Sequence, residues 1–144
     1  MHTEVIDGRR LAREVTDAVA AEAATLPRRP GLAVIIVGDD PASHLYVRNK
    51  VRTAERVGFK SETVRLDADT TEADVLARIT WLNTRNDIDG ILVQLPLPPQ
   101  MNTLRVMATV DPRKDVDGLH ALNAGKLTQG SLRLIPCTPM GCLK

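Results

Sequence analysis

Residues 32–37 (LAVIIV) form an uninterrupted aliphatic run that decides the fold. Such a run is typical of a strand that is covered on both faces, as the strands of a parallel sheet are. Residues 38–41 (GDDP) then turn the chain, and Asp40 and Pro41 suit the N-cap and the first position of a helix. We therefore expect a strand, a turn and a helix that continues to Gly58, because glycine favours a left-handed helix end.

The alternation of helix and strand extends outward from this run in both directions. Hydrophobic spacing predicts further helices over residues 9–25, 71–85 and about 103–110, strands over 60–66 and 88–94, and a turn-rich remainder. This order is typical of an α/β protein, here a three-layer α/β/α domain with a mainly parallel sheet. Ligands of open α/β sheets bind beyond the carboxyl ends of the strands, so residues 38–43 and 94–99 should line the site.

The composition argues against two classes of partner. The 144 residues suffice for one domain with a hydrophobic core. With 19 basic and 18 acidic residues the net charge is +1, which supplies no field to attract a phosphate backbone or an anionic membrane. One Trp, one Tyr and one Phe are too few for base stacking. We expect no nucleic-acid partner and no membrane partner.

Targeting and metal signals are also weak. Residues 1–8 lack the basic start and long apolar run of a signal peptide, which predicts a cytoplasmic protein. Cys137 and Cys142 match neither a disulfide framework nor a usual zinc spacing, so we expect reduced thiols. His2, His44 and His120 form no ligand-spaced cluster. We expect no metal site.

The helix predicted after Pro41 carries a lysine beside its core face. At ~100° per residue, an apolar stripe lies within about 80° of Val47 and consists of Val47, Val51, Ala54 and Val57. Lys50 falls at about −60°, on one face with Ser43 and Tyr46, and should lean toward the strand ends. Two interpretations remain open: a lysine whose ammonium reaches water past the core edge, or a partly desolvated amine suited to proton transfer.

Two further polar positions follow predicted secondary structure. Gln94 ends an otherwise aliphatic strand, where its amide either caps backbone groups before the prolines or holds a ligand or an amine without adding charge. Residues 114–118 (KDVDG) predict a turn. Alternatively, a carboxylate there accepts two parallel N–H bonds, such as those offered by the ring N–H and 2-amino group of a pterin.

Four segments, taken jointly and in this order, resemble the bifunctional methylenetetrahydrofolate dehydrogenase/cyclohydrolase family. They are residues 43–50 (SHLYVRNK), 89–98 (DGILVQLPLP), 114–118 (KDVDG) and 136–141 (PCTPMG). The resemblance spans most of the chain and implies the N-terminal, folate-binding catalytic domain of a two-domain dehydrogenase. Arg52 is a departure, since many relatives carry a second lysine there.

The resemblance also implies roles for particular residues. Lys50 matches the catalytic lysine, Gln94 the glutamine that contacts it, Asp117 the carboxylate that holds the pterin, and Tyr46 the aromatic that stacks on the aminobenzoyl group. These four make up the implied catalytic set. The implied substrate-binding set is Ser43, Tyr46, Lys50, Val93, Gln94, Leu95 and Asp117. Cys137 also matches a position near this pocket.

The family implies an enzyme that is both an oxidoreductase and a hydrolase. Such enzymes oxidise 5,10-methylenetetrahydrofolate with NADP⁺, or NAD⁺ in some members, and hydrolyse the methenyl product to 10-formyltetrahydrofolate. This one-carbon chemistry serves purine and amino-acid biosynthesis, and relatives are homodimers. We expect residues 1–144 to form the catalytic domain, with the NADP-binding Rossmann domain absent from this chain, because the sequence contains no G-x-G-x-x-G.

Two other functions stay open from the sequence. One is a non-enzymatic folate-binding or regulatory module. The other is the substrate domain of a different two-domain dehydrogenase, because such domains share the α/β layout and fold alone does not assign function.

Overall fold

A computed structural model of the chain describes residues 6–131 and 134–144. Their elements, in chain order, are α1 (Gly8–Thr25), β1 (Gly31–Val37), α2 (Pro41–Arg56), β2 (Lys60–Leu66), α3 (Glu72–Thr84), β3 (Gly90–Val93), α4 (Thr103–Thr109), α5 (Ala121–Thr128) and α6 (Cys137–Cys142).

The three strands form a parallel sheet in the order β2-β1-β3. In the central strand, Ile35 pairs with Val64 on one side and with Val93 on the other. Helices α3 and α4 cover one face of the sheet, and α2 covers the other through Val47. The predicted α/β architecture with helices on both sides of a parallel sheet is confirmed. Because all strands run the same way, their carboxyl ends meet at one edge.

The local signals around β1 act as predicted. The carboxylate of Asp40 accepts a hydrogen bond from Ser43 N at 2.7 Å, with Pro41 in the first turn of α2. Gly58, beyond the end of α2, has φ +94°, a left-handed conformation that glycine adopts without a steric penalty.

Strand β3 is shorter than the predicted 88–94. The backbone N–H of Asp89 bonds Gly31 O at 2.8 Å, and that of Gln94 bonds Ile35 O at 2.8 Å. The strand is thus extended at each end by a single hydrogen bond, which leaves the side chain of Gln94 at the carboxyl edge of the sheet.

The remainder after α4, predicted only as turn-rich, also contains two short helices, α5 and α6, which the sequence analysis did not identify. Helix α5 contains Gly125 and only one buried residue, Asn123, so it lacks the apolar periodicity of a longer helix. Its first turn is held by His120, whose Nδ1 accepts from Leu122 N at 3.0 Å. Helix α6 has six residues and no side-chain cap bond. Both are too short for their sequence pattern to reveal them.

Within the described part of the chain, no helix combines the length and apolar character required to cross a bilayer. His2 lies outside the described residues.

Candidate active site

Helix α2 lies on the sheet as its sequence pattern predicts. Val47, Ala54 and Val57 are buried, and Val51 is half-buried and packs against the cluster that Val47 forms with the sheet. Lys50 is half-buried beside this stripe, whereas Arg52 is exposed. The helix therefore holds Lys50 at the boundary between the core and solvent.

Lys50 meets Gln94 at the carboxyl end of β3. The Lys50 Nζ atom donates to Gln94 Oε1 at 3.3 Å. The amide nitrogen of Gln94 donates to Leu95 O at 2.6 Å, and this bond turns the amide oxygen toward the lysine. An amine is thereby oriented by a neutral acceptor, and no carboxylate of residues 6–131 or 134–144 forms a salt bridge with it.

Residues 114–118, which we call the Asp117 loop, place a carboxylate near the same amine. Desolvation by burial raises the pKa of Asp117; the positive charge of Lys50 opposes this rise and the negative charge of Asp115 adds to it. Among the described residues Asp117 makes no hydrogen bond. Its carboxylate is thus half-buried, electrostatically coupled to Lys50 and available to accept bonds from a ligand.

Cys137, at the start of α6, borders the same region. Its Sγ lies 3.7 Å from Val116 O in the Asp117 loop. Desolvation and the nearby Asp117 carboxylate raise the pKa of this thiol, and Lys50 opposes that shift. Lys50, Asp117 and Cys137 are therefore close enough to influence one another, although they lie far apart in the sequence. Cys137 and Cys142 are both free thiols.

The remaining predicted substrate-binding residues differ in how they face the site. Ser43 is buried at 5% exposure one turn before Val47, and the Tyr46 ring is 62% exposed, which leaves its face open to a planar ligand. Leu95 is half-buried. Val93 is only 2% exposed and belongs to the core beneath α3 and α4, so its backbone rather than its side chain is available to a ligand.

One buried residue beside the site had no role in the sequence analysis. Asp115 is 1% exposed, and its carboxylate accepts three hydrogen bonds, from Leu119 N, His120 N and Asn123 Nδ2. An Asp-x-Asp pattern in a turn does not reveal which carboxylate points inward, so only the family resemblance, and not the local pattern, distinguished Asp117 from Asp115.

The described residues contain no group of three or more His, Cys, Asp or Glu side chains able to hold a metal ion. The sequence also contains no G-x-G-x-x-G, the glycine pattern of a strand–loop–helix that binds a dinucleotide. The turn from β1 to α2 is Gly-Asp-Asp-Pro, and its carboxylates would repel a pyrophosphate. These residues do not fit NADP, and no step is assigned to it on this chain.

The family model of the tetrahydrofolate dehydrogenase/cyclohydrolase catalytic domain matches residues 6–117. The chain belongs to this family. The matched residues include α2 with Lys50, β3 and the Asp117 loop up to Asp117 itself, and Cys137 lies beyond them.

Individual relatives of this family agree with the match. The bifunctional protein FolD of Acidiphilium cryptum is 52% identical over 144 residues, which is 100% of this chain and 52% of that protein. A 5,10-methylenetetrahydrofolate dehydrogenase from the silkworm Bombyx mori superposes with a TM-score of 0.93 at 43% identity, covering 96% of this chain and 49% of that one.

A Trypanosoma brucei methylenetetrahydrofolate dehydrogenase-cyclohydrolase, solved with NADP cofactor and an inhibitor, superposes with a TM-score of 0.89 at 35% identity, over 94% of this chain and 48% of that one. Relatives in this family thus use NADP. The chain spans about half the length of the curated relatives it matches.

Proposed function

We propose that this chain is the folate-binding catalytic domain of a bifunctional methylenetetrahydrofolate dehydrogenase/cyclohydrolase. The observation that carries the proposal is the 3.3 Å contact of Lys50 Nζ with Gln94 Oε1, at the strand edge where the Asp117 carboxylate also lies. Family membership supports the assignment, because this lysine, glutamine and aspartate stand within the matched residues 6–117.

In the proposed hydrolytic step, water attacks the methenyl carbon of the 5,10-methenyltetrahydrofolate cation. A C–O bond forms, and the bond between that carbon and N5 breaks to give 10-formyltetrahydrofolate. Lys50 carries protons in this step: it takes one from the attacking water and gives one to N5, and one proton is released overall. Gln94 orients the amine through its Oε1 acceptor.

The substrate is held by residues on either side of Lys50. Asp117 accepts the ring N–H and the 2-amino group of the pterin as a fork, which is the geometry a carboxylate recognises best. These donors and the charge of Lys50 stabilise the ionised carboxylate and so oppose the effect of its burial, which favours the neutral form. Tyr46 stacks on the aminobenzoyl group through its exposed ring face.

We further propose that the dehydrogenase reaction requires a nucleotide-binding domain outside residues 1–144, and that the enzyme is a homodimer. A nucleotide held by such a domain would supply the hydride acceptor, and residues 1–144 would supply the folate-binding wall of the site. The roughly twofold greater length of the relatives supports a further domain beside the one described here.

A cyclohydrolase assay without any nucleotide tests the proposal directly. We expect the protein to hydrolyse 5,10-methenyltetrahydrofolate, and Lys50→Met to reduce the rate by at least ~100-fold, the usual contribution of a positioned proton carrier. Folate binding, measured by calorimetry, should persist in this variant. Arg52→Met is the matched control, because it removes an exposed cation from the same helix.

Three outcomes are contrary to the proposal. Hydrolysis that survives Lys50→Met shows that this lysine is not the proton carrier. Folate binding without any hydrolysis by the wild-type protein identifies a non-enzymatic binding module. Failure to bind folate, with binding of shikimate or an amino acid instead, identifies the substrate domain of another dehydrogenase.

A further inference from the structure

We propose that Asp115 is a positioning residue that locks the Asp117 loop between β3 and α5, so that Asp117 faces the substrate beside Lys50. This inference rests on the proposed function. It gives the two carboxylates of the loop different tasks: Asp115 binds the protein, and Asp117 binds the ligand.

The contacts of Asp115 fix the loop to the start of α5. Its Oδ1 accepts from Leu119 N at 3.3 Å, and its Oδ2 accepts from His120 N at 2.9 Å and from Asn123 Nδ2 at 2.9 Å. A carboxylate that is 1% exposed is tolerated only when such donors replace water. Three donors on one buried carboxylate therefore hold the backbone on both sides of Asp117.

The side chain of Asn123 connects Asp115 to the backbone that precedes the loop. It is 2% exposed, and its Nδ2 donates to Pro112 O at 2.8 Å as well as to Asp115. One side-chain amide thus joins a backbone group before the Asp117 loop to a carboxylate within it. The loop cannot shift relative to α5 without losing both bonds.

The backbone of the loop is also hydrogen-bonded to β3. Ile91 N donates to Lys114 O at 2.7 Å, and Ile91 and Asp115 form a parallel bridge beside β3. Gln94 is three residues further along the chain, immediately after β3. The position of Asp117 relative to the Lys50–Gln94 pair is therefore set through β3.

The side chain of Lys114 anchors the loop on its other flank. Its Nζ donates to three carbonyl oxygens at the end of α3: Leu82 O at 3.3 Å, Asn83 O at 2.9 Å and Arg85 O at 2.7 Å. Lys114 and Asp115 are thus both engaged within the protein. Asp117, by contrast, makes no hydrogen bond to any described residue, as a ligand-binding carboxylate requires.

The test is the isosteric substitution Asp115→Asn, which places an amide NH₂ or a weaker acceptor opposite three donors. We expect binding of 5,10-methenyltetrahydrofolate to weaken by about tenfold, the usual effect of losing charge-assisted hydrogen bonds that hold a site. In the cyclohydrolase assay KM should rise while kcat changes little, because the Lys50–Gln94 contact is untouched.

Asp89→Asn is the matched control. Asp89 also bonds a backbone N–H, that of Gly31 at 2.8 Å, but at the opposite, amino-terminal edge of the sheet. The same chemical change there should lower stability without altering folate affinity.

A double-mutant cycle with Asp117→Ala separates positioning from general destabilisation. If Asp115 acts through Asp117, then Asp115→Asn adds no further loss of folate affinity once Asp117 is Ala. An equal loss in both backgrounds overturns the proposal, as does unchanged affinity in the single variant. If Asp115→Asn does not fold, Asn123→Ala decides in the same cycle, because it removes one donor and leaves the carboxylate.

If the proposed function itself is wrong, the binding experiment gives a different result. In that case the wild-type protein itself binds no 5,10-methenyltetrahydrofolate. If the wild type binds normally and Asp115→Asn binds equally well, only the positioning role of Asp115 is rejected.

Discussion

A β-carbon added to Gly90 would lie 2.5 Å from Cγ1 of Val116, so β3 and the Asp117 loop pass each other more closely there than a side chain permits. Val116 cannot easily retreat, because it packs against the core under α2. The absence of a side chain at Gly90 is thus a condition for the loop to reach its place beside the strand.

We predict that Gly90→Ala displaces the Asp117 loop. The substitution should lower the free energy of unfolding by about 1–3 kcal/mol, as overpacking typically does, and should weaken folate binding although residue 90 touches no ligand. The double variant Gly90→Ala/Val116→Ala removes the clashing methyl group and should recover most of the affinity. Calorimetric binding and urea unfolding check both effects. Wild-type affinity in Gly90→Ala would show that the loop tolerates displacement.

Replacing Gln94 tests the orientation of the lysine. Gln94→Ala removes the acceptor at 3.3 Å from Lys50 Nζ, and we expect a drop of roughly tenfold or more in the hydrolysis rate, because an unheld amine loses the geometry on which proton transfer depends. Steady-state kinetics should assign the loss mainly to kcat. Gln100→Ala is a suitable control, because that amide binds Ala68 O on an exposed loop. Equal losses in the two variants would contradict the assignment.

Tyr46 offers a test that separates binding from stability. Its ring is 62% exposed, so Tyr46→Ala should leave the thermal midpoint nearly unchanged. Loss of a stacked ring should weaken folate binding by about 1 kcal/mol, or roughly fivefold. Tyr46→Phe keeps the ring and should bind almost normally. If Phe and Ala weaken binding equally, the hydroxyl rather than the ring face makes the contact.

The raised pKa of Asp117 predicts a pH-dependent stability. Burial raises the pKa of this carboxyl in the folded state, so the native protein binds more protons than the unfolded chain between the ordinary carboxyl pKa and the raised value. Stability therefore falls as pH rises through that window and stays lower above it. Asp117→Asn removes this penalty and should raise the unfolding free energy at neutral pH, while weakening folate binding.

The measurement is urea unfolding of wild type and Asp117→Asn at neutral pH and at a pH well below 3.8, the ordinary carboxyl value. The advantage of the variant should disappear at the lower pH, because both proteins are then neutral at this position. A variant that is less stable than wild type at neutral pH would mean that the attraction between Asp117 and Lys50 outweighs the burial.

Much of the architecture was predictable because its signals are local. The aliphatic run of β1, the Asp40 cap and the glycine after α2 each specify their own backbone, and the helical wheel places Lys50 at the core edge. The meeting of Lys50 with the end of β3 follows from the rule that parallel strands share a carboxyl edge.

The surroundings of Asp117 were less accessible to sequence reasoning. The inward orientation of Asp115 depends on Asn123 of α5 and on two backbone N–H groups just before that helix. Because α5 contains a glycine and a single buried residue, its sequence shows no helical pattern. The contact of Cys137 with the Asp117 loop likewise depends on where α6 lies in space. Such contacts join segments through space, and no periodicity within either segment encodes them.

The contact between Lys50 and Gln94 joins residues 44 positions apart. It exists only after α2 has settled on the sheet and β3 has paired with β1, so partly folded chains lack it. A molecule bridging these segments binds the native state alone and shifts the unfolding equilibrium by mass action. A ligand bound across this contact would therefore lower the fraction of unfolded chains that proteases can cleave.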